Sequence, residues 1–343
     1  MSMKSAAQHN VEQNDKEKRG WFFVRVVVTV AVLGFLSWKM RGELSAFGNT
    51  VANANLAWML TAYGSFCLVI VCAVLRWQLL LRAQGLLLKI IPLIEYFMIG
   101  LFFNNFMLGA TGGDLVKAYY VAKETHHKKT EAMTTVFIDR IVGMFALICI
   151  ALAALLFHLH DPKMRKVSTA IFSCFGIFAA FALLFLNKNL LKKIPFVEAL
   201  SQRLPFRQTM GRIYDAFYVY HGHKGAVLGA FAYSLFLQFV AILIVYGLGQ
   251  ALGIEGVGFV HYLLLVPVIS TVSALPISFG GLGLGEGAYV YFFNLVTEQS
   301  AKYLALALTM RFLVIAWGLV GGLFLLLPKT RIPAGELAEA KTT

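Results

Sequence analysis

Two glycines followed by an aspartate and a lysine form the first motif whose residues can hold an anion. It is GATGGDLVKAYYVAK, residues 109–123, in which Gly112 and Gly113 precede Asp114 and Lys117. Glycine permits a sharp turn, and the free N–H groups at the start of a helix attract negative charge. Asp114 is at the expected N-cap, and Lys117, three residues later, is close enough to pair with it. The motif predicts an anion site, while a simple helix cap and a lysine that reaches the interface explain the same residues.

The second motif, VFIDRIVGMF, places Asp139 and Arg140 near the start of a long apolar run. Charges within such runs are costly, so they usually face a cavity and a partner. An ion pair at the membrane interface is the alternative interpretation. Arg76 ends another apolar run, and we expect it to be an interfacial anchor.

The third motif, PISFGGLGLGEGAYVYFF, is again rich in glycine and carries Glu286 as its acid. Arg311 lies deep in the apolar segment LALALTMRFLVIAWGL, and Glu286 is its first expected counter-charge, with Asp139 or Asp114 next. Arginine can hold phosphate through two parallel hydrogen bonds, which lysine cannot do.

These motifs give a set of candidate substrate-binding residues. Arginine and lysine in them would hold a phosphate, and the acids would balance those charges and could bind a coupling proton or a cationic headgroup. We expect no catalytic residue, metal site or cofactor. The candidates are Gly112, Gly113, Asp114, Lys117, Asp139, Arg140, Gly280, Gly281, Gly283, Glu286 and Arg311.

The elements around these residues are apolar. Of 343 residues, 59% are hydrophobic and 14% charged, whereas a soluble domain carries about 25% charged residues. Several runs approach the roughly 20 residues that cross a bilayer. The sequence therefore predicts an all-α polytopic membrane protein. Its net charge of +13 is explained by basic loops beside anionic lipid rather than by nucleic acid.

Two topologies fit the apolar segments. In one, all eight cross the membrane, and Lys and Arg outside them divide equally, 13 on each side. In the other, 92–122 and 259–293 are re-entrant hairpins, and the count becomes 20 inside and 6 outside. Basic residues favour the cytoplasmic side, so the second topology is preferred. The segments are 21–38, 56–75, 92–108, 132–157, 167–186, 226–252, 259–275 and 301–327.

The preferred topology also contains an internal repeat. A shift of 170 residues places Gly113 on Gly283, and Arg140 falls one residue short of Arg311. We therefore expect two inverted repeats, each with a glycine-rich re-entrant helical hairpin, as in many transporters. The expected parts are a disordered cytoplasmic N-terminus (1–20), a single transmembrane domain (21–328) with repeat halves of about 21–157 and 167–327 and a basic interfacial segment (188–224), and a cytoplasmic tail (329–343).

The motifs GGDLVKAYYVAK, FIDRIVG and PISFGGLGLGEGAYVYFF resemble the lysylphosphatidylglycerol synthase transmembrane family, also called the flippase-like domain family. The resemblance covers roughly residues 20–328. Lys117 stands where the family more often has arginine, and no proline stands among the residues just before Gly112. The resemblance implies a membrane domain that moves a lipid between leaflets. The soluble aminoacyltransferase domain of some relatives is not expected here, so neither is lysyltransferase activity.

The expected function is translocation of an anionic or aminoacylated phospholipid, or of a polyprenyl-phosphate type lipid, in the cell membrane. A membrane-embedded lipid-modifying transferase and a small-solute or ion transporter are the alternatives. The sequence has no G-x-x-x-x-G-K-[ST] motif for ATP. A membrane lipid with an anionic headgroup is the expected partner, and a separate enzyme that makes the lipid is a candidate. The oligomeric state is left open.

The charge count predicts where each loop lies. Single cysteines at Lys128 and Gln208, in a background without the four native cysteines, should be shielded from an impermeant thiol reagent in intact cells. A single cysteine at Lys163 should be labelled. The opposite pattern would favour eight crossings.

Overall fold

The computed structural model of the protein describes residues 49–106, 112–125, 128–157, 168–169, 171–173, 175–176, 218–274 and 282–326. Within these ranges the regular structure is helical, which confirms the all-α prediction. The two expected terminal segments, the apolar segment 21–38 and most of 167–186 and 188–224 lie outside the described residues. The main helices are α1 Leu56–Ala83, α2 Ile90–Phe106, α3 Gly112–Glu124, α4 Lys129–Leu155, α5 Lys224–Ala251, α6 Phe259–Ser273, α7 Leu284–Phe293 and α8 Ser300–Leu323, and a short 3-10 turn, Phe324–Leu326, follows.

Four of these helices are long and apolar enough to cross a membrane. They are α1, α4, α5 and α8, with 28, 27, 28 and 24 residues. The helices between them are shorter: α2 and α3 have 17 and 13 residues, and α6 and α7 have 15 and 10. The order long, short, short, long therefore occurs twice along the described chain.

Helices α1 and α5 are antiparallel and contact each other along their length. At one end, the N–H of Asn55 donates to the carbonyl of Ala251 at 2.8 Å. At the other, the hydroxyl of Tyr220, just before α5, donates to the carbonyl of Leu80 at 3.1 Å. The side chain of Asn55 also caps α1 by accepting from the N–H of Ala57. The two long helices are thus joined at both ends.

Helices α2 and α3 form an antiparallel hairpin. Near the turn, the N–H of Gly113 donates to the side-chain oxygen of Asn104 at 2.9 Å. Near the open end, the hydroxyl of Tyr96 donates to Glu124 at 2.6 Å, and its ring stacks on that of Tyr120. The chain therefore returns to the side from which α2 started.

Helices α6 and α7 form a second antiparallel hairpin. The ring of Tyr262, early in α6, lies 4.9 Å from that of Phe293, the last residue of α7. At the other end, a side chain at Gly285 would meet Ser273, the last residue of α6, at 3.1 Å. Proline within α6, at Pro267, leaves the helix continuous to Ser273.

Glycines let α8 pack closely against α2. A Cβ atom at Gly321 would lie 2.0 Å from the carbonyl oxygen of Met98, and one at Gly318 would lie 2.2 Å from the amide nitrogen of Asn105. That amide donates to the carbonyl of Val314 at 2.9 Å. Small residues at helix contacts are typical of membrane proteins, where close backbone approach supplies much of the packing.

This contact predicts that Gly321→Ala is destabilising. The added methyl group overlaps the backbone of α2, so the helices must separate, at a cost of about 1–3 kcal/mol. Thermal unfolding of purified protein in detergent, followed by tryptophan fluorescence, measures the loss.

The matched control is Gly64→Ala, also within a long helix, where a Cβ atom meets nothing within 4 Å. That change should be neutral or stabilising by up to about 1 kcal/mol, since alanine favours helix over glycine. Equal unfolding temperatures for the two variants would contradict the close packing of α8 on α2.

Candidate functional site

A buried ion pair joins three long helices, and we call it the buried clamp: Arg76, Asp139 and Ser234. The Arg76 guanidinium donates from Nε to Asp139 at 2.6 Å and from Nη2 at 2.8 Å. Its third nitrogen, Nη1, donates to the Ser234 hydroxyl at 3.0 Å. All three residues are buried. A forked pair with both oxygens engaged and an added hydroxyl is the geometry in which buried charges can be tolerated.

The buried clamp corrects two predictions from the sequence. Arg76 is not an interfacial anchor, because α1 continues beyond it to Ala83 and the residue is buried. Asp139 is not paired with Arg140 at an interface, because Arg76 takes both of its oxygens. The sequence does contain a signal for this pair, since an acid inside one apolar run requires a cation in another.

A glycine beside the buried clamp leaves room for it. Gly143 lies one turn beyond Asp139, and a Cβ atom there would be 3.2 Å from Nη1 of Arg76. Beside the clamp, the indole nitrogen of Trp77 donates to the hydroxyl of Thr135 at 3.3 Å. The start of α4 is therefore fixed against the end of α1.

Three charged side chains meet near the start of α3, and we call them the first charged cluster: Asp114, Lys117 and Arg140. The Lys117 ammonium lies 2.9 Å from Oδ1 of Asp114, which confirms the expected pair. Nε of Arg140, on α4, donates to Oδ2 of the same carboxylate. Asp114 is the third residue of α3 rather than its N-cap, because the helix already begins at Gly112. Its carboxylate is used by side-chain cations instead.

Lys117 is held in place by aromatic rings as well as by Asp114. Its Nζ lies 5.3 Å from the ring centroid of Trp77 and 5.0 Å from that of Phe97. Both distances are within the roughly 6 Å over which a ring face attracts a cation. The residue is buried, so its side chain does not extend to the interface.

A second charged cluster, Glu286 and Arg311, joins α7 to α8. Nε of Arg311 donates to Oε1 of Glu286, which confirms the first expected partner. The other oxygen, Oε2, accepts from the N–H of Gly283 at 2.7 Å. Gly283 has a φ of 77°, which glycine adopts without strain, so its N–H can point at the carboxylate. Glu286 is buried, at 3% exposure.

The two clusters occupy corresponding positions in the chain. Asp114 is the third residue of α3, and Glu286 is the third residue of α7. Their partners, Arg140 and Arg311, are each the twelfth residue of the long helix that follows. Eleven residues of helix rise about 17 Å, so each arginine is near the middle of its helix.

The face of α4 that carries Arg140 is otherwise apolar and exposed. The Arg140 side chain is 42% exposed. One turn to either side, Phe137 and Met144 are 47% and 42% exposed. Residues three and four apart share a helix face, so this guanidinium lies on an apolar surface of the kind that lipid covers.

The remaining sequence candidates separate into two groups. Gly112 and Gly113 form the first turn of α3. A Cβ atom at Gly113 would lie 1.8 Å from the carbonyl oxygen of Gly100, so glycine is required there for the hairpin to close. Gly280 and Gly281 lie outside the described residues.

A separate polar cleft of about 480 Å³ lies away from the charged clusters. It is open and formed where the start of α1, the end of α5 and the start of α8 meet. The Lys302 ammonium donates to the carbonyl of Gly253 at its edge, at 2.5 Å. We assign the candidate site to the charged clusters because charged side chains in the middle of apolar helices are costly and are usually functional. Polar residues at helix ends carry no such cost.

The buried clamp predicts strongly coupled substitutions. Arg76→Met or Asp139→Leu alone leaves a buried charge without its partner and should cost about 3–5 kcal/mol of stability. The double variant removes both charges and should recover most of that loss. Thermal unfolding of the four proteins forms a double-mutant cycle, and additive effects would contradict the pairing.

Comparison with known proteins agrees with the membrane character of these helices. The sequence model described as lysylphosphatidylglycerol synthase TM region matches residues 22–322. The UPF0104 membrane protein PH1989 of Pyrococcus horikoshii is 24% identical over 327 residues, covering 89% of this chain and 96% of that protein. No solved structure gives a significant match. The chain is a membrane protein and belongs to the lysylphosphatidylglycerol synthase transmembrane family.

Proposed function

We propose that the protein moves a lipid with an anionic headgroup between the leaflets of the cell membrane. The lipid would be an anionic or aminoacylated phospholipid or a polyprenyl-phosphate type lipid. The observation that carries the proposal is the pair of acid–arginine contacts at corresponding positions of α3–α4 and α7–α8.

The proposal includes an inverted repeat of two halves, α1–α4 and α5–α8. The recurring helix lengths and the antiparallel contact of α1 with α5 support it. In this arrangement the α2–α3 and α6–α7 hairpins enter the bilayer from opposite sides and turn back within it. Broken helices at mid-depth of this kind are where many transporters bind their substrates.

Charge supports an anionic substrate. Arg140 and Arg311 are near the middle of apolar helices, where an unpaired cation costs at least about 2.5–3.5 kcal/mol. In the described part of the chain, each contacts an acid from a hairpin helix, and Lys117 adds a further positive charge. A phosphate can replace a carboxylate at a guanidinium, and it can accept two parallel hydrogen bonds there.

The surroundings of Arg140 favour lipid over a small polar solute. A solute transporter would enclose its charged residues in a polar cavity, whereas Arg140 lies between exposed Phe137 and Met144. A headgroup could reach the guanidinium while its acyl chains stay against the apolar face of α4.

The remaining parts of the proposal follow from the sequence. Both termini are cytoplasmic, and movement is passive, coupled to a gradient or driven by a partner. We propose that the chain is not an enzyme, that it binds no nucleic acid, and that a separate enzyme supplies the lipid.

Arginine-to-lysine changes test this function. Lysine keeps the charge but loses the fork, so Arg140→Lys and Arg311→Lys should each slow transport at least about tenfold while the protein still folds. Transport is measured in proteoliposomes that contain trace fluorescent phosphatidylglycerol. Dithionite outside the vesicles bleaches label in the outer leaflet, so the rate of further bleaching reports the movement of label out of the inner leaflet.

Arg82→Lys is the matched control, since Arg82 is an exposed arginine in the last turn of α1. It should leave the rate unchanged. Fluorescent phosphatidylcholine tests whether negative charge matters. If the double variant Arg140→Ala/Arg311→Ala transports lipid at the wild-type rate and is equally stable, the proposal is contradicted.

A further inference from the structure

We propose that the two charged clusters are unequal and that the anionic headgroup rests at the first charged cluster, with the second as a weaker site. This inference rests on the proposed function and assigns different tasks to its two sites. The observations behind it are the number of cations at each carboxylate, the exposure of each arginine and the surroundings of Lys117.

The clusters differ in net charge. Among the described residues, the first has two cations, Lys117 and Arg140, around one carboxylate, whereas the second has one cation and one carboxylate. Lys117 is the sixth residue of α3, and the sixth residue of α7 is Tyr289. Counted from the start of each helix, the first charged cluster therefore has a lysine where the second has a tyrosine.

The clusters also differ in the contacts that each carboxylate keeps when its arginine binds an anion. If a phosphate takes Arg140, Asp114 keeps Lys117 as a cation partner at 2.9 Å. If a phosphate takes Arg311, the contact that Glu286 keeps among the described residues is the N–H of Gly283. A buried carboxylate without a cation is costly, so exchange is more favourable at the first charged cluster.

Access follows the same order. The Arg140 side chain is 42% exposed and the Arg311 side chain is 25% exposed. A headgroup arriving from lipid therefore reaches Arg140 with less displacement of protein.

Aromatic rings help to hold the Lys117 ammonium in place. Lys117 lies against Trp77 on α1 and Phe97 on α2, and neither ring belongs to the charged cluster itself. When Arg140 turns toward a ligand, these rings and Asp114 keep the ammonium in place. Lys117 is thus a positioning residue that acts on the ligand through Asp114.

Binding of a short-chain anionic lipid tests the inequality. The probe is dihexanoyl phosphatidic acid, added to purified protein in detergent and followed by isothermal titration calorimetry. Dihexanoyl phosphatidylcholine, with the same chains and no net charge, is the control. Arg140→Gln should raise the Kd for phosphatidic acid at least about tenfold, and Arg311→Gln by less than about threefold.

A charge exchange between the clusters sharpens the test. In Lys117→Tyr/Tyr289→Lys, the extra cation moves to the second charged cluster, and the larger loss should then follow Arg311→Gln. If that variant does not fold, Lys117→Met serves, and it should make the two arginine changes equal in effect. Size-exclusion profiles and tryptophan fluorescence report folding for each variant.

The outcomes separate the two proposals. Equal losses for Arg140→Gln and Arg311→Gln in otherwise wild-type protein would overturn the inequality and leave the proposed function intact. Equal binding of phosphatidic acid and phosphatidylcholine by the wild type would overturn both. A larger loss at Arg311 would reverse the assignment of the resting site.

Discussion

Charges inside an apolar helical bundle must be satisfied by one another, and this constraint organises the described part of the protein. Arg76, Asp139 and Ser234 are side chains from α1, α4 and α5, and their contacts fix three long helices at one depth. Acids on the two hairpins then hold the arginines at mid-helix. Each hairpin is thereby attached to the long helix that follows it, and the ion pairs position the helices as well as forming the candidate site.

Glycine provides the second condition, because paired charges need helices that approach closely. Gly100 and Gly113 bring α2 and α3 together beside Lys117, and Gly143 makes room for the guanidinium of Arg76. On α8, Gly318 and Gly321 let the backbone of α2 approach closely. A bundle of larger residues would keep the same charges too far apart to pair.

Much of the fold was predictable because its signals are local. Apolar length gave the long helices, and the spacing of three residues gave the Asp114–Lys117 pair. The Glu286–Arg311 pair was predictable because an arginine so deep in an apolar run needs an acid, and Glu286 is an acid in a neighbouring glycine-rich segment. The partner of Asp139 was not predictable, since sequence does not tell which helices lie side by side. The prediction that Arg76 is an interfacial anchor was wrong for the same reason, because its neutralising carboxylate comes from 63 residues away.

The antiparallel contact of α1 with α5 has a mechanical consequence. Its ends are joined by Asn55 to Ala251 and by Tyr220 to Leu80, and the Arg76–Ser234 hydrogen bond adds a tie between them. Two helices that are joined at both ends and once between resist both separation and sliding along each other. Within the described residues, α1 and α5 thus form a rigid pair, and any movement of the two hairpins would have to take place against it.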